Sequence, residues 1–123
     1  MALILVIDDS EICRALVRRM LERERYRVID AADGDAGIEC FAREAPDLVI
    51  TDIIMPNREG IETIREIRRM RPNARIIAMS GSVGSGSLYL EAAKRLGADE
   101  VLVKPFPHTL LTSTVHRLLD RAA

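Results

Sequence analysis

Aromatic residues are scarce in this chain: tryptophan is absent, and Tyr26, Phe41, Tyr89 and Phe106 are the whole set among 123 residues. That leaves no row of rings on which single-stranded nucleic acid could stack its bases. Cysteine is nearly absent as well. Cys13 and Cys40 stand far apart, without C-x-x-C or Cys/His spacing, a pattern that excludes a zinc site and a disulfide framework and leaves two small core residues. Long apolar runs are missing too. The opening run, Ala2 to Ile7, is too short for a secretory signal and lacks preceding basic residues, and nothing elsewhere approaches a membrane span. The expected setting is a reducing cytoplasm, with no membrane as partner. Charge of one sign is not in excess: 18 Lys and Arg face 19 Asp and Glu, so the net charge of -1 removes the broad attraction that drives direct nucleic-acid binding. Among the basic residues only Lys94 and Lys104 are lysines.

What is present suits a globular domain, with 48% hydrophobic and 30% charged residues. Four short apolar runs, Leu3 to Ile7, Leu48 to Ile50, Ile76 to Met79 and Val101 to Val103, have the β-branched content of strands buried on both faces of a parallel sheet. A weaker fifth strand is expected over Tyr26 to Ala31. Between them, apolar residues recur at helical spacing: Ile12, Leu16 and Met20; Ile61, Ile64 and Ile67; Leu88, Ala92 and Leu96. Pro46, Pro72 and Gly97 stand where helices should end. Five β-α units in a row predict an α/β domain, a doubly wound five-stranded parallel sheet with helices on both faces. The stretch from Ser80 to Ser87 reads as a glycine-serine loop, and without a lysine after its glycines it is not a P-loop.

Ligands of an open α/β sheet bind beyond the carboxyl ends of its strands. The residues just after each apolar run are Asp8 and Asp9, Asp52, Ser80 and Lys104. Singly, each has an ordinary explanation, since an aspartate after a strand commonly forms a turn or caps a helix. Jointly they do not. Two carboxylates about 4 Å apart repel by roughly 4 kcal/mol at an effective dielectric near 20, so three of them call for a cation or for protonation. Magnesium takes oxygen ligands and is typically held by one or two carboxylates together with phosphate oxygens.

These residues, with Ile53-Ile54-Met55-Pro56 after Asp52, then Gly60, Ser80-Gly81, Gly97-Ala98-Asp99 and Lys104-Pro105-Phe106, resemble the receiver domain of two-component response regulators along essentially the whole chain. The resemblance implies a flavodoxin-like sheet of order 2-1-3-4-5 and one receiver domain over residues 1–123 with no output domain. It implies that Asp52 accepts a phosphoryl group from a sensor histidine kinase or a histidine phosphotransfer protein. Magnesium, or manganese, would be held by Asp9, Asp52 and the backbone carbonyl of Ile54, with Asp8 acting through water. Lys104 and Ser80 would contact the phosphoryl oxygens and report its arrival by moving the loop after Ser80. An altered surface on the fourth helix, fifth strand and fifth helix would then meet a downstream protein that the sequence does not identify. The Lys104-Pro105 bond resembles the family's cis peptide. The chain would be an acceptor rather than an enzyme with a separate turnover substrate.

In one respect the chain departs from that pattern: Val101 stands where family members commonly carry Tyr or Phe, so an aromatic rotamer switch is not available. Ile54 and Ser82, each two residues beyond a site residue, are expected to tune the lifetime of the phosphoryl group. Arg14, Arg18 and Arg19, and the group Arg65, Arg68, Arg69, Arg71 and Arg75, sit among glutamates such as Glu22 and Glu66, the pattern of solvated ion pairs. His108 and His116 lack ligand-spaced partners and are expected on the surface of the last helix. Two alternatives stand beside the phosphoacceptor. A metal-dependent phosphatase of the haloacid-dehalogenase type would want Asp-x-Asp where Asp8-Asp9-Ser10 stands, and a phosphate-independent receiver-like interaction module would usually lose an acid or the lysine.

Overall fold

The computed structural model describes residues 1–53, 60–81, 91–95 and 97–120. Its strands are β1 (Leu3–Ile7), β2 (Arg27–Ala31), β3 (Leu48–Asp52), β4 (Ile76–Ser80) and β5 (Glu100–Val103). The helices are α1 (Glu11–Arg23), α2 (Gly34–Glu44), α3 (Gly60–Met70), the described turns of α4 at residues 91–95, and α5 (His108–Asp120). All pairings are parallel, in the order β2-β1-β3-β4-β5. Both the fold class and the strand order expected from the sequence are found.

Side chains alternate across each strand, so a continuous apolar run feeds two cores at once. Leu5, Ile7, Val49, Ile76 and Ala78 join Phe41 of α2 and Ile64 and Ile67 of α3 on one face. Ile4, Val6, Leu48, Ile50, Ile77 and Met79 join Val17 and Leu21 of α1 and Leu111, Val115 and Leu118 of α5 on the other. The sheet is thereby covered on both sides, which leaves the polar residues of its strand ends at the edge.

Several local expectations need correction. In α1 the stripe Ile12, Leu16, Met20 is not the one that faces the core: Ile12 is 76% and Leu16 51% exposed, and only the half-buried Met20 packs against it. A second stripe one position on, Cys13, Val17 and Leu21, has the same spacing and is the one that packs. Cys40 is a buried core residue as expected, whereas Cys13 is half-buried. Tyr26 lies outside β2 because its N–H closes the α1 turn onto Leu21 O at 3.2 Å. Ile64 and Ile67 are buried as predicted; of the fourth-helix stripe, Ala92 is half-buried, and Leu88 and Leu96 lie outside the described residues. His116 is exposed, its Nδ1 3.0 Å from the Tyr26 hydroxyl. His108 is half-buried instead, with a buried Nε2 that has no hydrogen-bond partner among the described residues.

Candidate functional site

At the carboxyl edge of the sheet the chain turns immediately after β1. Asp8 is buried and makes that turn: its Oδ1 accepts from the Ser10 N–H at 2.9 Å, and its own N–H donates to Ala31 O at 3.1 Å. Ser10 then caps α1, its hydroxyl oxygen accepting from the Cys13 N–H at 3.2 Å. The ordinary explanation of an aspartate after a strand is therefore true of Asp8, but it uses only one carboxylate oxygen. The other, Oδ2, accepts from Lys104 Nζ at 2.8 Å, and the same ammonium donates to Asp52 Oδ2 at 2.9 Å.

Asp52 and Ser80 are the last residues of β3 and β4 rather than the first of the following loops, because parallel pairing runs two residues past Ile50 and one past Met79. Both are buried. The Lys104 N–H donates to Ser80 O at 2.7 Å, which ties the strand end that carries Ser80 to the residue that carries the ammonium. On the other side α3 starts against β3. The Gly60 N–H donates to Ile53 O at 3.0 Å, and a Cβ at residue 60 would lie 2.1 Å from the Asp52 carbonyl oxygen, so the position has room for glycine alone.

Carboxylate oxygens of Asp8, Asp9 and Asp52 lie within 4.8 Å of one another. Asp9 is exposed and makes no hydrogen bond or ion pair in the described structure, so its charge faces the solvent beside the buried pair. This is a hard, all-oxygen donor set of the kind that suits magnesium, and the three carboxylates are close enough to share one ion. Burial works against the charge of Lys104, but the hydrogen bonds and Coulomb attraction from Asp8 and Asp52 outweigh it and hold the lysine pKa above its usual value. The ammonium thus offsets part of the carboxylate repulsion without cancelling it.

The structure brings together Asp8, Asp9, Asp52 and Lys104, and it sets Ser80 on the adjoining strand end. Val101 is half-buried and packs against the α2-α3 core, as a β-branched strand residue should. The Lys104-Pro105 peptide is cis. Ile54, Met55, Pro56 and Ser82 lie outside the described residues. Two neighbours of the site, Cys13 and Arg14, were read from the sequence only as a core residue and as a solvated ion-pair arginine. The Cys13 thiol is pushed up in pKa by burial and by Asp8 beside it, and it lines a groove of about 350 Å³ with Ile12, Leu16, Lys104 and Phe106. Arg14 donates from Nη1 to the backbone carbonyl of Asp8 at 2.8 Å. Neither contact has a signal in the sequence, since each joins residues of α1 to the strand edge through the folded turn.

The arrangement has close parallels. Residues 4–116 match the family model of the response regulator receiver domain. Protein CcdB of Bacillus subtilis is 35% identical over 120 residues, covering 97% of this chain and 98% of its own length. The chemotaxis protein CheY of Thermotoga maritima is 32% identical over 116 residues, covering 94% and 95%. The crystal structure of a response regulator receiver domain protein from Clostridium thermocellum superposes with a TM-score of 0.92 at 30% identity, covering 99% of this chain and 97% of that one. Family model, full-length relatives and superposed structure agree, and the chain belongs to the family of response regulator receiver domains.

Proposed function

We propose that Asp52 accepts a phosphoryl group from a histidine kinase or histidine phosphotransfer protein, with a divalent cation held by the neighbouring acids. The observation that carries this reading is the single ammonium of Lys104 bridging Asp8 and Asp52, at 2.8 and 2.9 Å, beside an exposed third carboxylate. Asp52 is the nucleophile. Its carboxylate oxygen attacks phosphorus, the P–N bond to the donor imidazole breaks with its electron pair staying on nitrogen, and an acyl phosphate forms. Phosphoryl transfer has a loose transition state, so the work of the site is positioning and neutralising charge. Lys104 is already in contact with Asp52 and passes one N–H to a phosphoryl oxygen. Asp9, Asp52 and the Ile54 carbonyl are the residues that would ligate magnesium or manganese, with Asp8 acting through water; when bound, the ion neutralises carboxylate and phosphoryl oxygens together. Ser80 donates its hydroxyl to another phosphoryl oxygen, and the change spreads to the surface of α4, β5 and α5, where a downstream protein binds.

The donor approaches along α1. Ile12 and Leu16 form an exposed apolar strip on a groove that Lys104 also lines, so a helix resting there delivers its imidazole to the carboxylate that Lys104 touches. Intact mass after treatment with acetyl phosphate tests the chemistry. The expected result is one phosphate adduct that needs Mg2+ and is lost in Asp52→Asn. An adduct that survives in Asp52→Asn, or none in the parent, contradicts the assignment. Continuous release of phosphate from simple esters would favour the phosphatase alternative instead.

A further inference from the structure

The β1-α1 turn that carries both Asp8 and Asp9 is held from behind. Asp8 uses every polar group it has: N–H to Ala31 O, Oδ1 to the Ser10 N–H, Oδ2 to Lys104, and its backbone carbonyl to Arg14 Nη1 at 2.8 Å. Arg14 is itself held in place. Its side chain is 18% exposed, and its Nε lies 3.9 Å from Asp30 Oδ1. Asp30, one residue before the end of β2, is fixed by a hydrogen bond from Arg18 Nη1 at 2.8 Å. The guanidinium therefore spans from the second strand to the peptide between Asp8 and Asp9.

That peptide is planar, so the bond that fixes the Asp8 carbonyl also fixes the orientation of the Asp9 N–H and the direction in which Asp9 leaves the strand. Asp9 has no other anchor: its carboxylate is exposed and makes no hydrogen bond or ion pair in the described structure. We infer that Arg14 is a positioning residue for the cation pocket, aiming Asp9 by locking the Asp8-Asp9 peptide. The inference rests on the phosphoacceptor reading above and adds a residue outside the acid cluster to it. Partners that orient metal ligands without touching the metal commonly change affinity by about 10- to 100-fold when removed.

The sign of the effect separates positioning from simple electrostatics. Arg14 is a cation close to a cation site, so on Coulomb's law alone its removal tightens Mg2+ binding. Positioning predicts the reverse. Mg2+ titrated into the full chain by calorimetry should bind Arg14→Met about tenfold more weakly than the parent. Labelling by acetyl phosphate should be slowed at low Mg2+ and recover as Mg2+ is raised. Arg14→Lys keeps the charge and a donor but loses the rigid planar fork that presents one nitrogen to Asp8 O and another to Asp30, so it should also bind more weakly, by a smaller factor. This second variant carries the test if Arg14→Met does not fold. Equal or tighter Mg2+ binding in a folded Arg14→Met, or parent-like binding in Arg14→Lys, overturns the inference. A parent chain that binds no Mg2+ and takes no phosphoryl group overturns the functional reading itself.

Discussion

Lys104 is one of two lysines in the chain, and its surroundings keep it charged. Burial disfavours the ammonium, Asp8 and Asp52 favour it, and the carboxylates win, so its pKa lies above the ordinary lysine value. A raised pKa gives stability that is complete below the unfolded lysine pKa of about 10.4 and is lost as pH rises beyond it. Lys104→Met should therefore cost about 3 kcal/mol in the presence of a chelator, by removing the ammonium that bridges the buried carboxylates of Asp8 and Asp52. Chemical denaturation of both proteins should give a gap that is flat from pH 7 to about pH 10 and narrows above it. A gap that changes between pH 7 and 9 would show that another group controls the site. The identities of Asp8, Asp9, Asp52 and Lys104 were legible in the sequence because each follows an apolar run. The double role of Asp8, turn former and ion-pair partner at once, was not, since one-dimensional spacing cannot say which carboxylate oxygen faces which neighbour.

At the scale of elements, α1 shows where sequence reading loses its footing. Ile12-Leu16-Met20 and Cys13-Val17-Leu21 are equally good stripes at helical spacing, adjacent on the same helix. The Ser10 cap and the turn at Asp8 set the rotation of α1, and they put the second stripe against the sheet. Ile12 and Leu16 of the first stripe are then left in solvent on the groove that Lys104 also lines, which leaves them open to a partner. Leu16→Ser, or Ile12→Ser, should reduce the rate of phosphoryl transfer from a protein donor about tenfold, as expected when an exposed apolar anchor of an interface is removed. The rate with acetyl phosphate, which needs no docking helix, should stay within a factor of two, and the melting temperature should hardly move because neither side chain is in the core. Equal losses with both donors would place the defect in the chemistry and not in docking.

For the whole molecule, the parallel sheet was the most legible feature. Runs such as Leu3 to Ile7 and Ile76 to Met79 are apolar at every position, and only a sheet covered on both faces asks for that. The strand order came from the family likeness of the strand-end residues and not from the runs themselves. Closing the two cores brings three acids to one edge, which is a cost to the folded state that a cation relieves. Mg2+ at about 100 times its dissociation constant should stabilise the fold by about 2.7 kcal/mol, which raises the melting temperature on the order of 10 °C for a domain of this size. Asp9→Asn should remove the response without lowering the melting temperature in chelator, because the Asp9 side chain makes no hydrogen bond or ion pair among the described residues.

The central claim is that the phosphoryl group sits on one carboxylate of the three, Asp52. Borohydride reduces an acyl phosphate, but not a free carboxylate, to an alcohol. After acetyl phosphate treatment in Mg2+, reduction and peptide mapping should find the reduced side chain at residue 52 alone. Reduction at residue 8 or 9, or at none of the three, would contradict the account.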